Sequence, residues 1–421
     1  MNTLTEITIP DAIPSSAPRA PRIHSVRPPS MSPHDFLRNQ KLFTEWRDPA
    51  TGVASHILTR RVAPVQQSFY FTSPSITDDG RYYWFYCAFP PSGSGYHGRT
   101  LAVADLKAGE IIHHPNTQFL EASPLVDRRT GNVYWCNPVG IWKLAPCAES
   151  EAELVNRFSP EFVGYQDVRR YATHLTFSAD GSALNIDAEI GHKFCIGSAP
   201  LDGGDIEIWQ EMDHCYKHGQ WNPVDPDLML IAQDHWIDRA TWTRHTYQNR
   251  LWLIRRGGRA EPIYTAPVAA DPGKQVPEHN RDRRTRHGHE WWSADGKHIW
   301  YVHYGHGVER IALGASAPER VWNIERIAHA HADATGRFLV CDGIHSTTTE
   351  TWRVTFYDSE LRRELPLVSS MPRLLHDEPR YHIHPHPHFC LGDSLICYTT
   401  TVLGQVDVAF TRISDLQALL R

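Results

Sequence analysis

Histidine is the compositional outlier of this 421-residue chain, with 26 imidazoles beside 42 basic and 48 acidic side chains. Four of them alternate in Tyr381-His382-Ile383-His384-Pro385-His386-Pro387-His388. In an extended segment, residues i and i+2 share a face. His384 and His386 are therefore predicted to point the same way, close enough to share one metal ion. Pro385 and Pro387 cannot donate ladder hydrogen bonds, which places the segment at a strand edge or entrance. A solvated polar strand is the bland alternative; two rigidifying prolines between the imidazoles favour a ligand strand. Imidazole donors suit Mn, Fe, Ni or Zn better than Ca or Mg.

Further histidines fall at matching places along the chain. His287-Gly288-His289-Glu290-Trp291-Trp292 and Ala328-His329-Ala330-His331 each stand just before a polar turn. His218, in His214-Cys215-Tyr216-Lys217-His218-Gly219-Gln220-Trp221-Asn222-Pro223, has the same relation to the next turn, and Asp234-His235 follows. A lone histidine in such a place is more often a packed structural group; the shared register argues for a common direction. Between them runs a basic stretch, Lys274, His279, Arg281, Arg283, Arg284 and Arg286. It reads either as a solvated loop or, beside a metal site, as a lure for a carboxylate.

These residues must be positioned by elements that repeat. A short polar turn, often Asp-Gly, precedes a strand of bulky residues seven times: at Thr77–Gly80, Asp127–Gly131, Ser178–Gly181, Pro223–Asp227, Ser293–Gly296, Asp333–Gly336 and Leu391–Asp393. Successive turns lie about 40 to 70 residues apart, near the ~40–50 expected of propeller blades. Each turn-and-strand is followed by a second strand, as in NRLWLIRRGG and VDVAFTRISDL. One such antiparallel blade cannot bury both faces, but a ring of blades can, and the ring hides most sheet edges. The expectation is an all-β fold: a seven-bladed β-propeller of four-stranded antiparallel blades. Residues 1–40 form a Pro-rich arm and 41–421 a single propeller domain. Asp48-Pro49-Ala50-Thr51-Gly52 followed by SHILTR reads as an outer hairpin without its own repeat, so an N-terminal strand is expected to close the ring by pairing with the last blade. Only Ser414 to Arg421 looks helical. A pair of β-sandwiches is the competing architecture, and seven like repeats argue against it. Equivalent positions in different blades converge on the central channel, so separate histidine segments would supply one coordination sphere.

Composition narrows the partners. A net charge of −6 offers no global field for nucleic acid. No stretch approaches the roughly 18 apolar residues of a membrane span. The eight cysteines include no CxxC pair, which weakens a zinc-ribbon reading. The opening segment lacks a basic start followed by an apolar run. A cytoplasmic protein with reduced thiols is expected, as a monomer or homodimer.

The run HEWWSADGKHIWYVHY, then AHAHADATGRFLVCDG, then HPHPHF resembles the oligogalacturonate lyases. Those are seven-bladed propellers that cleave short pectic uronides by β-elimination with bound manganese. The resemblance is clearest from His218 to Tyr398 and faint over residues 1–190. It implies that His289, His384 and His386 bind the metal, Mn2+ being the expected ion and Zn2+, Ni2+ or Fe2+ the alternatives. Tyr381 stands where the family has a glutamine as fourth ligand, and His382, His329 or His331 are possible substitutes. The resemblance further implies His218 as the base and places Lys193 near the family's basic partner; His235, in the segment that follows His218, is a further catalytic candidate.

The implied chemistry explains these types. Elimination removes the proton at C5, next to the uronate carboxylate. That proton is a poor acid until the carboxylate's charge is neutralised by a metal and a cationic side chain. A base of near-neutral pKa then takes it. Tyr96 and His97, in the loop Gly93-Ser94-Gly95-Tyr96-His97-Gly98, are candidates to protonate the leaving oxygen or bind sugar, and Arg284 and Arg286 to bind the acidic oligosaccharide. The departure at Tyr381 leaves the uronide open: pectic, ulvan or rhamnose–glucuronate. A non-catalytic binding scaffold and a different metal enzyme, a hydrolase or oxygenase, remain as other readings.

Overall fold

The computed structural model describes residues 35–247, 249–263, 287–346, 351–374 and 378–421. Its strands fall into seven antiparallel blades. The seven polar turns each lead into the second strand of a blade: Tyr82–Ala88, Val133–Asn137, Ala183–Ile190, Leu228–Gln233, His298–His303, Phe338–Ser346 and Leu395–Thr400. These strands carry the apolar runs that the repeats marked out, and most of their side chains are buried. The turn at Gly296 shows why glycine recurs there. Its φ is +67°, and an added Cβ would meet Asn222 Oδ1 of the preceding blade at 2.5 Å. Asn222 Nδ2 donates to the Gly296 carbonyl at 2.8 Å, so the same close approach ties two blades together.

Six blades are four-stranded and one has five. In the latter, His388–Cys390, Leu395–Thr400 and Asp407–Arg412 come from the C-terminal end, and Ala54–Leu58 and Phe43–Arg47 from the N-terminal end. The seam is the pairing of His56 with Phe410 and Ile57 with Ala409. Ser55 Oγ and Thr411 Oγ1 lie 2.8 Å apart across it, and the Tyr398 hydroxyl donates to Ser55 Oγ at 2.7 Å. Ring closure by the N-terminal hairpin is thus as expected, both of its strands joining the last blade.

The expected arm lies outside the described residues up to 34. Its end, Asp35–Arg38, is a single 3-10 turn. There Phe36 and Leu37 are buried, and the Phe36 ring lies 5.9 Å from Phe43 and 6.0 Å from Phe410.

Between blades the core is aromatic. Trp84 and Trp135 are fully buried with Leu101, Val126 and Val133. The Trp84 indole donates to the Gly131 carbonyl at 2.8 Å, so the ring is buried without an unpaired donor. Burying such side chains contributes roughly 1.5–3 kcal/mol each. The helix expected at the C-terminus is Ile413–Leu420, packed through Ile413, Leu416 and Leu420. All eight cysteines are free thiols, six of them buried. A two-stranded hairpin, Trp236–Asp238 with Thr243–His245, interrupts the blade that begins with Tyr216–Trp221.

A histidine-lined cavity and candidate metal centre

Three histidines of the channel stand in a backbone conformation that L-residues seldom adopt. φ is +55° at His218, +50° at His289 and +43° at His386. In the first two cases the ladder slips at the histidine, between Lys217 and Gln220 and between Gly288 and Trp291. A bulge of this kind re-aims one side chain out of the pleat. Left-handed non-glycine residues cost of order 1–3 kcal/mol each and persist where the surroundings fix them. Here they are fixed: the Gly219 N–H donates to Asp187 Oδ2 at 2.8 Å, Gln220 Nε2 to the Glu290 carbonyl at 2.8 Å, and the His386 N–H to Asp342 Oδ2 at 2.9 Å.

The His-Pro segment is corrected in detail. Residues 382–387 are not a strand; the innermost strand proper is His388–Cys390. The imidazoles gather because His382 (φ +52°) and His386 are both left-handed. The His382 and His384 rings lie 4.1 Å apart and those of His384 and His386 5.6 Å apart. Pleat alternation had been the expected cause.

The structure brings together His329, His382, His384 and His386, whose ligand atoms all lie within 4.8 Å of one another. His329 comes from the adjacent blade, on the innermost strand His329–Ala332. Its Nδ1 sits 2.7 and 2.8 Å from the two oxygens of fully buried Asp342. A carboxylate accepts only, so Nδ1 is the donor of this pair. His386 Nε2 and His384 Nδ1 are buried with no hydrogen-bond partner. An unsatisfied buried polar atom costs about 1–3 kcal/mol, and a metal ion is the partner that would satisfy several nitrogens at once. Burial, then the neighbouring His329, holds the His386 imidazole well below its ordinary pKa; burial and His382 do the same for His384. Both are neutral near pH 7, the form that ligates a metal. The donor set fits a divalent ion of the imidazole-binding class.

The other predicted ligands are placed differently. His289 stands beside the quartet: its ring is 4.0 Å from that of His329 and 5.8 Å from that of His386, and its Nδ1 is 3.5 Å from the Tyr70 hydroxyl. Tyr381 does not face the cluster. Its buried hydroxyl donates to the Ser92 carbonyl at 2.8 Å. His382 and His329, two of the named substitutes, stand in the quartet. The third, His331, accepts the Phe389 N–H at 3.2 Å and lines a separate cavity at the other mouth of the channel.

His382 and His386 of the quartet line a cavity of about 320 Å³, within the ~300–1,000 Å³ usual for small-molecule sites. Tyr70 lines it, and Phe71 lines the cavity at the opposite mouth; the two rings, 4.8 Å apart, divide the channel. The Tyr70 ring lies 5.5 Å from that of His386 and 5.2 Å from that of His174. His174 and His218, with rings 5.3 Å apart, form the far wall. Burial holds His174 at a pKa of about 3; burial first, then Arg250, holds His218 well below its ordinary value. Both imidazoles are therefore neutral near pH 7.

Lys193 is corrected. It is half-exposed, its Nζ pairs with Glu211 Oε2 at 3.2 Å, and it does not line the cavity. The cations that do are Arg99, Lys217 and Arg250. Arg250 is clamped between Glu290 at 3.3 Å and Asp234 at 3.5 Å. His235 lines the cavity with its Nδ1 3.1 Å from Asp234 Oδ1. Tyr96 is at the rim, 62% exposed, whereas His97 turns to Ser94 Oγ at 3.1 Å and is outside the lining. Arg284 and Arg286 lie outside the described residues.

Sequence reasoning missed Tyr70, Arg99, His174, Arg250 and Tyr304. His174 did carry a signal. It stands four residues before Ser178, which opens its turn, as His218 stands before Asn222, His289 before Ser293 and His329 before Asp333. Tyr70 and Arg99 belong to no repeated motif.

No family model matches this sequence, and no curated protein matches it. Among solved structures, the chain superposes on an oligogalacturonate lyase in complex with manganese with a TM-score of 0.66, covering 89% of this chain and 97% of that one at 15% identity. A second oligogalacturonate lyase, from Vibrio parahaemolyticus, gives 0.65 with 88% and 96% covered at 16% identity. At this identity the likeness is one of fold, and it spans nearly the whole of each chain.

Proposed function

We propose that this chain is a metal-dependent uronate lyase that cleaves a 4-linked uronic-acid glycoside by β-elimination. The observation that carries the reading is the opposition of two groups of imidazoles across Tyr70. One is a metal-binding quartet oriented by Asp342; the other is the pair His174 and His218. The whole-chain likeness to the oligogalacturonate lyases supports it, and manganese is proposed as the ion on the same ground.

A bound divalent ion would supply Lewis acidity, neutralising the uronate carboxylate and stabilising the enolate-like charge. Lys217 adds positive charge to the same cavity, whereas Arg250 is balanced by Glu290 and Asp234. His218 takes the C5 proton. The C5–H electron pair becomes the C4–C5 double bond, and the C4–O bond breaks with its pair on the departing oxygen. That oxygen gains a proton, for which Tyr96 at the rim is the proposed donor. A positioned acid–base group contributes typically about 10²–10⁴-fold.

The test is metal analysis of the purified protein together with a screen of pectic, ulvan and rhamnose–glucuronate oligomers. The expected product absorbs in the ultraviolet as a conjugated enol-ether acid. Absence of that absorbance from all three classes, with metal restored, would overturn the reading.

A further inference from the structure

Three arginines are buried among the described residues, Arg99, Arg170 and Arg250. Arg170 has Asp187 at 3.1 Å and Glu189 at 3.4 Å, and Arg250 has Glu290 and Asp234. Arg99 is different. It is 6% exposed, lines the cavity, and has no carboxylate at ion-pair distance among the described residues. Its guanidinium donates only to neutral oxygens: the Gly95 carbonyl at 2.6 Å, the Glu121 carbonyl at 2.8 Å and Gln67 Oε1 at 3.5 Å. Nε has no partner. A buried cation without a counter-charge is costly, and such groups are ordinarily paired.

The surroundings hold it in place. The guanidinium carbon stacks 4.5 Å from the Tyr86 ring centre and 5.1 Å from that of Phe119. Gly95, which accepts from it, donates its N–H to the Arg380 carbonyl at 2.7 Å. A Cβ on Gly95 would meet His382 Cβ at 3.1 Å, so the loop carrying Arg99's partner is packed directly against the quartet's segment. The guanidinium is held against two aromatic faces, with both Nη2 hydrogens given to carbonyls and an Nη1 hydrogen left for a ligand oxygen.

We propose that Arg99 is a specificity-determining residue that binds an acidic group on the sugar adjacent to the one being cleaved. The inference rests on the uronate-lyase reading of the cavity and adds a second charge to its ligand. That charge is either a carboxylate, as in consecutive uronates, or a sulfate ester, as in an ulvan-type unit. A rhamnose–glucuronate unit, with one charge, would leave Arg99 unpaired.

The experiment uses the metal-loaded full chain, with Arg99→Gln and Arg99→Lys variants. Calorimetry measures binding of digalacturonate, of a sulfated ulvan-type disaccharide and of an uncharged-neighbour rhamnose–glucuronate disaccharide; ultraviolet absorbance follows cleavage. The wild type should favour one of the two doubly charged ligands over the third. Arg99→Gln should lose about 10- to 100-fold of that preference, the range of a charge-assisted hydrogen bond. Its loss on the singly charged disaccharide should be smaller than on the doubly charged ones. Arg99→Lys, which keeps the charge but not the planar guanidinium, should keep part of the preference and provides the test if Arg99→Gln does not fold. No preference in the wild type, or an equal loss on all three ligands, overturns the role of Arg99. Preferential binding without any unsaturated product would instead refute the lyase reading and leave the anion site standing.

Discussion

Asp342 accepts the Nδ1–H of His329 with both carboxylate oxygens, at 2.7 and 2.8 Å, and the same carboxylate takes the backbone N–H of His386 at 2.9 Å. One buried anion thereby fixes a ligand on one blade and the left-handed turn that aims a ligand from the next. Asp342→Asn keeps the shape but halves the acceptors. Metal affinity should fall about 10–100-fold, the usual cost of losing such an outer partner. Titration with Mn2+ or Zn2+ against a competing chelator measures it, and unchanged affinity would refute the role of Asp342.

His386→Ala should lose bound metal while the propeller stays folded, because the blade cores are built elsewhere, from Trp84, Trp135 and their equivalents. Metal analysis and thermal melting report the two halves of this statement. Global unfolding of the variant would mark the quartet as structural. Tyr381→Phe is the counterpart. Since the hydroxyl serves Ser92, metal content should be unchanged and stability should fall by about 1 kcal/mol; metal loss would return Tyr381 to the coordination sphere.

His218→Gln should lower turnover about 10²–10⁴-fold while metal content is kept. Lys193→Ala should leave turnover near the wild-type rate, since the ammonium pairs with Glu211 outside the cavity. The reverse ranking, measured as initial rates on the cleaved uronide, would show that the cavity is not the reaction site.

Glu309 gives a pH prediction remote from the quartet. Although burial pushes its carboxyl up, Tyr301 at 2.8 Å, His303 at 3.2 Å and Arg320 at 3.0 Å together bring it down to about 2 from an ordinary 4.5. A depressed carboxylate pKa stabilises the fold above the unfolded value. That stabilisation, about 3 kcal/mol, is lost as pH falls from 4.5 toward 2. Glu309→Gln should therefore lower the melting temperature at pH 7 and show a shallower fall between pH 5 and 3. An equal slope in both proteins would remove Glu309 from the acid response.

The architecture was legible in the chain because a propeller repeats. Each blade needs a tight turn, a buried strand and an outer strand. Those needs recur as Asp-Gly and aromatic runs whose local chemistry does not depend on distant parts of the molecule. The same register pointed to His218, His289 and His329, and the same periodicity, extended by one blade, would have reached His174. Which imidazoles meet was not legible. Pleat alternation predicts His384 with His386 from a straight strand, but the meeting depends on left-handed backbone at His382 and His386 and on a carboxylate, Asp342, from another blade. The resemblance points to Tyr381 and Lys193, whereas their side chains are claimed by Ser92 and Glu211. The local pattern thus determined the ring and the face on which the histidines lie. Tertiary structure decided the candidate coordination set and left the buried Arg99 without a carboxylate partner among the described residues, because contacts between residues far apart in sequence leave no periodic trace in it.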